Sequence, residues 1–503
     1  MSVDERLFQG SLIAEKKRLI PYKLALSAKC LPFDESAHEI YLAYHDPYPF
    51  EAINLIGALF DKSIIPVLVD HDQLLKAIEL CYQNSDSETL ALIEGADQKL
   101  SSSQILSDQG HDLLDESETN PVIRLVNAIF AEAIKMGASD IHFEPHEKGL
   151  VVRYRVDGVL ILRHSPSKEI EAQIIARVKV LAQLDIAETR LPQDGRLKVK
   201  LNQRFVDFRV SVMPVAYGER IVLRVLDQSH LSLSLEKLGM PDPIIHALLE
   251  AITVPEGMLL VTGPTGSGKT TTLYSALNHL LQDPINIMTI EDPVEYRFSG
   301  MAQISVNPKI NLSFASGLKH ILRQDPDVIM IGEIRDYETA EIAIQSSLTG
   351  HRVFSTLHTN DAPSAITRLV DMGIEPYLIC SSLTGVLAQR LVRKICPACK
   401  VKISMPKALS QRFPFIEEQS FYQGSGCDEC YYTGYRGRVG LYEFLPLNSA
   451  LKKHILKVQD ADSLKEVACS LGFKDMHTAA IELAKQGVTT LEEVLNVTRA
   501  QSF

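Results

Sequence analysis

Four short segments of this chain have residue types and spacing suited to phosphate chemistry, and they occur in one order: GPTGSGKT at 263–270, TIEDPVEY at 289–296, DVIMIGEIRD at 327–336 and STLHTND at 355–361. The first has the spacing G-x-x-x-x-G-K-[ST] of a phosphate-binding loop. Gly263, Gly266 and Gly268 allow the tight turns that aim backbone N–H groups at phosphate oxygens, where a helix N-terminus adds partial positive charge. Lys269 then suits the β- and γ-phosphates, and Thr270 suits a magnesium ion. The nucleotide-binding run is Gly263, Pro264, Thr265, Gly266, Ser267, Gly268, Lys269, Thr270 and Thr271. Such a loop serves kinases, GTPases, helicases and motors alike.

The other segments narrow the chemistry. Glu291, Asp292 and Glu295 follow an apolar run and are interrupted by Pro293, which stops a continuing helix or ladder. So many acids beside a phosphate loop imply metal binding and water activation. In DVIMIGEIRD, Gly332 stands where an ordinary P-loop enzyme places an Asp for magnesium, and Glu333 follows it. His351 and His358 bracket VFSTL, which predicts both at a sheet edge; each histidine, taken singly, reads first as a structural hydrogen-bonding residue.

These side chains need elements to position them. GMLLVTG reads as a buried strand entering the phosphate loop and KTTTLYSALNHLL as a helix leaving it. INIMTI, Val328 to Ile331 and VFSTL read as further short strands, delivering their acids and His358 to the strand ends where open α/β sheets bind ligands.

The eight cysteines fall in two groups. Cys396 with Cys399 and Cys427 with Cys430 form two C-x-x-C pairs, each able to offer two thiolates from one tight knuckle to a tetrahedral zinc ion. A redox dithiol is the other reading of such pairs. Cys30, Cys81, Cys380 and Cys469 are scattered and read as buried small hydrophobes.

With 503 residues, 46% hydrophobic and 7% aromatic, the chain suits several α/β cores built from aliphatics. A net charge of −12 argues against a broad nucleic-acid surface. No apolar run is long enough to span a membrane and the first residues lack a signal-peptide core, so a cytoplasmic location is expected.

Residues 1–83 read as a small α/β domain. Residues 84–120, with nine acidic residues and one basic, read as a mobile linker. Residues 121–232 open with a helix, PVIRLVNAIFAEAIKMG, whose apolar positions recur at helical spacing. In the strand VDFRVSV, Val206, Phe208, Val210 and Val212 alternate with Asp207, Arg209 and Ser211. Arg209, and Arg224 in RIVLRV, read by themselves as a solvated polar face. The domain holding the phosphate loop is expected at 233–394, the cysteine-bearing insertion at 395–432 and a helical end at 433–503, with Asp462 and Thr490 as N-caps.

The four segments resemble the Walker A, Asp box, atypical Walker B and His box of the secretion superfamily of AAA-like ATPases, which drive type II secretion, type IV pilus assembly and DNA uptake. GASDIHFEP at 137–145, RYRVDGVL at 153–160, LPQDGR at 191–196 and GERIVLRVL at 218–226 extend the resemblance across about residues 119–500. It implies a multidomain α/β protein: a RecA/AAA-like P-loop motor preceded by α+β N-terminal domains, the second PAS-like, with a zinc-binding insertion and a helical C-terminal end. It also implies ATP hydrolysis with Mg²⁺ by a homo-hexamer. Glu295 would polarise the attacking water, Glu333 take the Walker B role and His358 sense the γ-phosphate. Glu291 and Asp292 would line the nucleotide site, and Arg209, Arg224, Arg323 and Arg438 match family arginines. Lys319 stands where another arginine is often found and cannot make the same bidentate contact.

The resemblance further implies type II protein secretion from the cytoplasmic side of the inner membrane. The chain would be held there peripherally by an inner-membrane platform and a cytoplasmic-domain protein bound through the N-terminal domain. Pilus or competence pseudopilus assembly is the close alternative. A nucleic-acid translocase would need basic, aromatic-bearing pore loops, and a non-catalytic scaffold would lack part of the nucleotide site.

Overall fold

In the computed structural model the described residues are 29–35, 39–46, positions scattered between 53 and 78, 111–112, and 120–498 without 202–203, 227–233, 282–283, 404–420 and 458–459. The chain divides into two units, Met1–Gln228 and Ser229–Phe503.

Among the described residues the first unit contains two sheets. Strands β1 (Cys30–Glu35), β2 (Glu39–Tyr44) and β3 (Ser63–Leu68) form the smaller one, with β1 antiparallel and β3 parallel to β2. Cys30, Leu31, Phe33, Leu42, Leu74 and Ile78 make its core, as a small α/β domain requires. Most of the expected linker, and Cys81, lie outside the described residues. Within it, His111–Asp112 (β4) runs parallel to β8 (Gln193–Leu201) at the edge of the larger sheet.

That larger sheet also contains β5 (Asp140–His146), β6 (Gly149–Val156), β7 (Val159–His164), β9 (Arg204–Val215) and β10 (Gly218–Leu226), in the order β4-β8-β9-β10-β5-β6-β7. The helix Pro121–Lys135 starts as the sequence predicts: Pro121 needs no N–H partner in the first turn, and the Asn120 side chain accepts from Val122 N. Its face of Val122, Leu125, Val126, Ile129 and Ala133 is buried. In β9, Val206, Phe208, Val210 and Val212 are buried, which places Arg209 on the opposite face.

The second unit is built on a seven-stranded sheet: β11 (Gly257–Thr262), β12 (Ile287–Glu291), β13 (Ala302–Ser305), β14 (Val328–Ile331), β15 (Arg352–Leu357), β16 (Leu383–Ile395) and β19 (Tyr435–Pro446). Their order is β13-β12-β14-β15-β11-β16-β19, parallel except for β19, which runs antiparallel to β16. Two apolar cores cover the two faces. In β14, Ile329 and Ile331 enter one core while Val328 and Met330 enter the other, so the strand reads as an unbroken apolar run. Strands β17 (Lys400–Ile403) and β18 (Phe421–Gly424) form a separate two-stranded ribbon.

Several expectations change here. The segment expected to begin the helical end instead supplies β19, the seventh strand of the sheet, and helices start only at Ser449. Asp460, not Asp462, caps the helix Ala461–Ser470, because its carboxylate is placed to accept from Ser463 N; Thr490 does cap, accepting from Glu493 N. Cys30 and Cys380 are buried as expected, whereas Cys469 is exposed on its helix. His351 precedes β15 and accompanies the turn at Ser346, at the end of the strand opposite to His358. No helix among the described residues is long and apolar enough to cross a membrane.

Candidate nucleotide and metal sites

The phosphate loop links β11 to the helix Lys269–Leu280, and its glycines answer to two demands. Gly263, Gly266 and Gly268 all have positive φ. A Cβ on Gly263 would also lie 2.3 Å from the Gln389 carbonyl oxygen, and one on Gly268 2.8 Å from Gln389 Nε2. Gln389, on the neighbouring β16, is the floor of the loop: its Nε2 donates to Ser267 O at 2.8 Å and its Oε1 accepts from Thr272 Oγ1 at 2.6 Å.

Lys269 is 8% exposed and donates from Nζ to the carbonyls of Gly263 at 2.8 Å and Pro264 at 3.1 Å. Burial lowers its pKa, and the Glu333 carboxylate pulls in the other direction. The buried Ser267 hydroxyl has no hydrogen-bond partner, and the Cα of Gly266 faces open space. An orphaned hydroxyl, an ammonium and glycines in one loop fit phosphate oxygens and, with Thr270, a magnesium ion.

The ends of β12, β14 and β15 bring the acids and His358 to this loop's side of the sheet. Glu333 accepts from Arg335 Nη2 at 2.5 Å and lies 3.3 Å from His358 Nε2, with its side chain 16% exposed. Arg335 Nη1 stands 4.0 Å from Asp292. Gly332 is tight for steric reasons: a Cβ there would come within 3.3 Å of Glu291 Cα and Ile290 O on β12. Thr262 Oγ1, at the end of β11, accepts from Thr359 N at 2.9 Å and lies 2.7 Å from Thr359 Oγ1, tying the loop after His358 to the strand feeding the phosphate loop.

Lys269, Glu333 and His358 thus share one end of the sheet, and the structure adds Arg335 to them. Glu295 is partly buried and within electrostatic reach of Glu291 and Tyr274. Glu291 itself is 3% exposed and taken up by its own domain: Tyr274 Oη, Thr289 Oγ1 and Gln303 Nε2 all donate to it. Burial raises its pKa against these donors. Arg323 is exposed and directs its hydrogen bonds to Lys319 O and His320 at its own helix end, while Lys319 pairs with Glu338. Arg438 is exposed opposite Arg393 in the β16–β19 pairing. In the first unit, Arg196, Arg209 and Arg224 are register partners across β8, β9 and β10, with Arg224 donating to Asp140 at 3.2 Å.

Arg335, Gln389, Thr262, Tyr274 and Gln303 escaped the sequence reading. Arg335 was inside a recognised motif, two positions after Glu333. Gln389 was signalled only as a polar residue within the apolar run LTGVLAQRLV.

The four paired cysteines meet just beyond the ends of β16 and β19. Sγ–Sγ separations are 3.8 Å for Cys396–Cys427, 3.8 Å for Cys399–Cys430 and 3.7 Å for Cys427–Cys430, and all four sulfurs lie within 4.8 Å of one another. A tetrahedron with Zn–S bonds of about 2.3 Å has edges of about 3.8 Å, so the sulfurs fit a Cys₄ zinc site. Burial pushes the Cys430 thiol up, but N–H groups of Cys427 and Gly434 pointing at it outweigh this and leave it at about 7. The knuckle requires glycine: a Cβ on Gly424 would meet Gly434 O at 2.0 Å.

A mostly parallel sheet with a glycine-rich loop entering a helix at its strand ends is a P-loop nucleotide-binding domain. The profile of the "Type II/IV secretion system protein" family matches residues 115–496 and that of the "MshEN domain" residues 6–88; the chain belongs to the type II/IV secretion system protein family. The type II secretion system ATPase E of Vibrio cholerae serotype O1 is 43% identical over 489 residues, covering 96% of this chain and 97% of its own length. The type IV pilus assembly ATPase PilB of Myxococcus xanthus is 41% identical over 492 residues, covering 97% of this chain and 87% of its own. The crystal structure of the pilus retraction motor PilT with bound ADP matches with 30% identity and a TM-score of 0.50, covering 73% of this chain and 95% of that one.

Proposed function

We propose that this protein is the ATP-hydrolysing motor of a type II protein secretion system, working as a homo-hexamer at the cytoplasmic face of the inner membrane. The observation that carries this reading is the cluster of Lys269, Glu333 and His358 at one end of the sheet, in a chain similar over nearly its whole length to a type II secretion ATPase. Type IV pilus assembly is the second reading, supported by the likeness to PilB.

Phosphoryl transfer depends on positioning and charge neutralisation. The phosphate loop and Lys269 hold the β- and γ-phosphates, Gln389 keeps the loop in shape and Glu295 orients the attacking water. Glu333 holds His358 and Arg335 beside the γ-phosphate position. Thr270 and Glu333 would hold Mg²⁺, which supplies charge neutralisation when bound. Arg209 and Arg224 complete the positive field. The tetracysteine knuckle holds zinc, and the N-terminal domain docks on a platform and a cytoplasmic-domain protein.

Two measurements test this. The purified full chain hydrolyses ATP and Lys269→Ala abolishes turnover; substantial residual activity in the variant would remove the site assignment. Expressed in a strain lacking its type II secretion ATPase, the chain restores export of secreted enzymes; restoration of pili alone in a pilus-motor mutant would favour the second reading.

A further inference from the structure

The segment carrying Glu295 lies between β12 and β13 and has no sheet partner of its own, so its backbone polar groups need side chains to satisfy them. The short edge strand β13 supplies them. Val294 N, one residue before Glu295, donates to Ser305 Oγ at 3.1 Å. On the other side, Gln303 Nε2 donates to Tyr296 O at 2.9 Å and Gln303 Oε1 accepts from Phe298 N at 2.8 Å. The same Nε2 donates to Glu291 Oε1 at 3.2 Å.

β13 runs parallel to β12 with Gln303 beside Thr289 and Ser305 beside Glu291, so these side chains share one face. Glu291 also receives Tyr274 Oη from the helix that leaves the phosphate loop. The Tyr274 ring meets Phe298 edge-on at 4.7 Å and Tyr296 at 6.4 Å. The Glu295 segment is therefore gripped on both sides by β13 and rests on the nucleotide-binding helix.

We infer that Gln303 and Ser305 are positioning residues that clamp the backbone on either side of Glu295, with Tyr274 and Glu291 joining the clamp to the phosphate-loop helix. The inference rests on the reading of Glu295 as the water-orienting group. Tyr274 is one side chain through which a shift of the phosphate-loop helix reaches Glu295. A misplacement of about 1 Å can cost up to about a hundredfold in rate while leaving ground-state binding alone.

The test uses the full chain, with ATP turnover and ADP affinity measured separately. Gln303→Met keeps the side-chain length and removes all three hydrogen bonds. It should lower kcat about tenfold, as expected for lost positioning, with ADP affinity within about twofold of the parent. Ser305→Ala should act in the same direction more weakly. In a Glu295→Gln background, itself slowed by about two orders of magnitude, Gln303→Met should add nothing. The clamp is overturned if Gln303→Met leaves kcat unchanged, if its effect multiplies that of Glu295→Gln, or if ADP affinity falls in step with kcat. Full turnover in Glu295→Gln alone would remove the water-orienting reading and the clamp with it. If Gln303→Met fails to fold, Ser305→Ala and Tyr274→Phe carry the same comparison.

Discussion

Glu443 is 2% exposed and sits where two helices begin. Its Oε1 accepts from Ala362 N and its Oε2 from Met476 N, each at 2.6 Å, so one carboxylate caps the helix after the His358 segment and a helix of the C-terminal end. Burial pushes its pKa up to about 7 against the pull of the two N–H donors. The folded state therefore holds this proton more tightly than the unfolded chain, whose carboxyl titrates near the ordinary value of about 4.3. The contribution of this group to stability is greatest below that value, declines as pH rises towards 7 and is level above. The difference in melting temperature between the parent and Glu443→Gln should accordingly shrink in the parent's disfavour from pH 5 to pH 7.5. A pH-independent difference would mean that the helix caps hold the carboxylate ionised throughout. At the same scale, Glu291 shows why an acid beside a phosphate loop need not face it: three donors from its own domain already occupy the carboxylate.

At the scale of elements, the antiparallel pair β16–β19 joins three parts of the second unit. Gln389 on β16 supports the phosphate loop, Ile395 at its end precedes the cysteine knuckle, and Cys396 N donates to Gly434 O at 3.0 Å just before β19 begins. Arg393, between them, donates to Glu493 at 2.6 Å, and its guanidinium lies 4.0 Å from the Tyr435 ring centroid, fastening the helix Leu491–Thr498 to the same strand. Zinc is thus expected to stabilise the tip of this pair rather than the nucleotide site. Metal analysis should find about one zinc per chain, since the four sulfurs form a single site. Cys396→Ser with Cys427→Ser should remove it, speed amide exchange in β17 and β18, and leave exchange in β11 and β14 unchanged. Loss of protection throughout the sheet would instead make the metal a requirement of the whole domain.

At the scale of the molecule, the proposed roles of Arg209 and Arg224 can be tested directly. Arg224 has a side chain 60% exposed while donating to the buried Asp140 of the neighbouring strand β5, and Arg209 lies on the face of β9 opposite the buried valines. Replacing both by alanine should lower ATP turnover at least tenfold, the scale of lost transition-state charge stabilisation, with ADP binding near that of the parent and a melting temperature lowered by the loss of the Arg224–Asp140 pair. Unchanged turnover would confine the chemistry to the second unit. The phosphate loop, the apolar strands around it, the first helix of the second domain and the paired cysteines were legible in the sequence, because their information is local: a spacing of glycines, a period of two or 3.6, two knuckles of C-x-x-C. Other assignments were decided only by the tertiary structure. β19 joins the sheet because it pairs with β16, and Gln389 supports the phosphate loop because β16 lies beside β11, which brings it to Thr272 across 117 positions of chain. Glu291 and Glu295 look alike as acids in one motif, yet partners from β13 and the phosphate-loop helix bury the first and grip the backbone around the second. Residue type and spacing determined which groups have suitable chemistry. The order of strands determined which of them meet, because burial and hydrogen-bond partners are set by neighbours in space that the linear sequence does not place together.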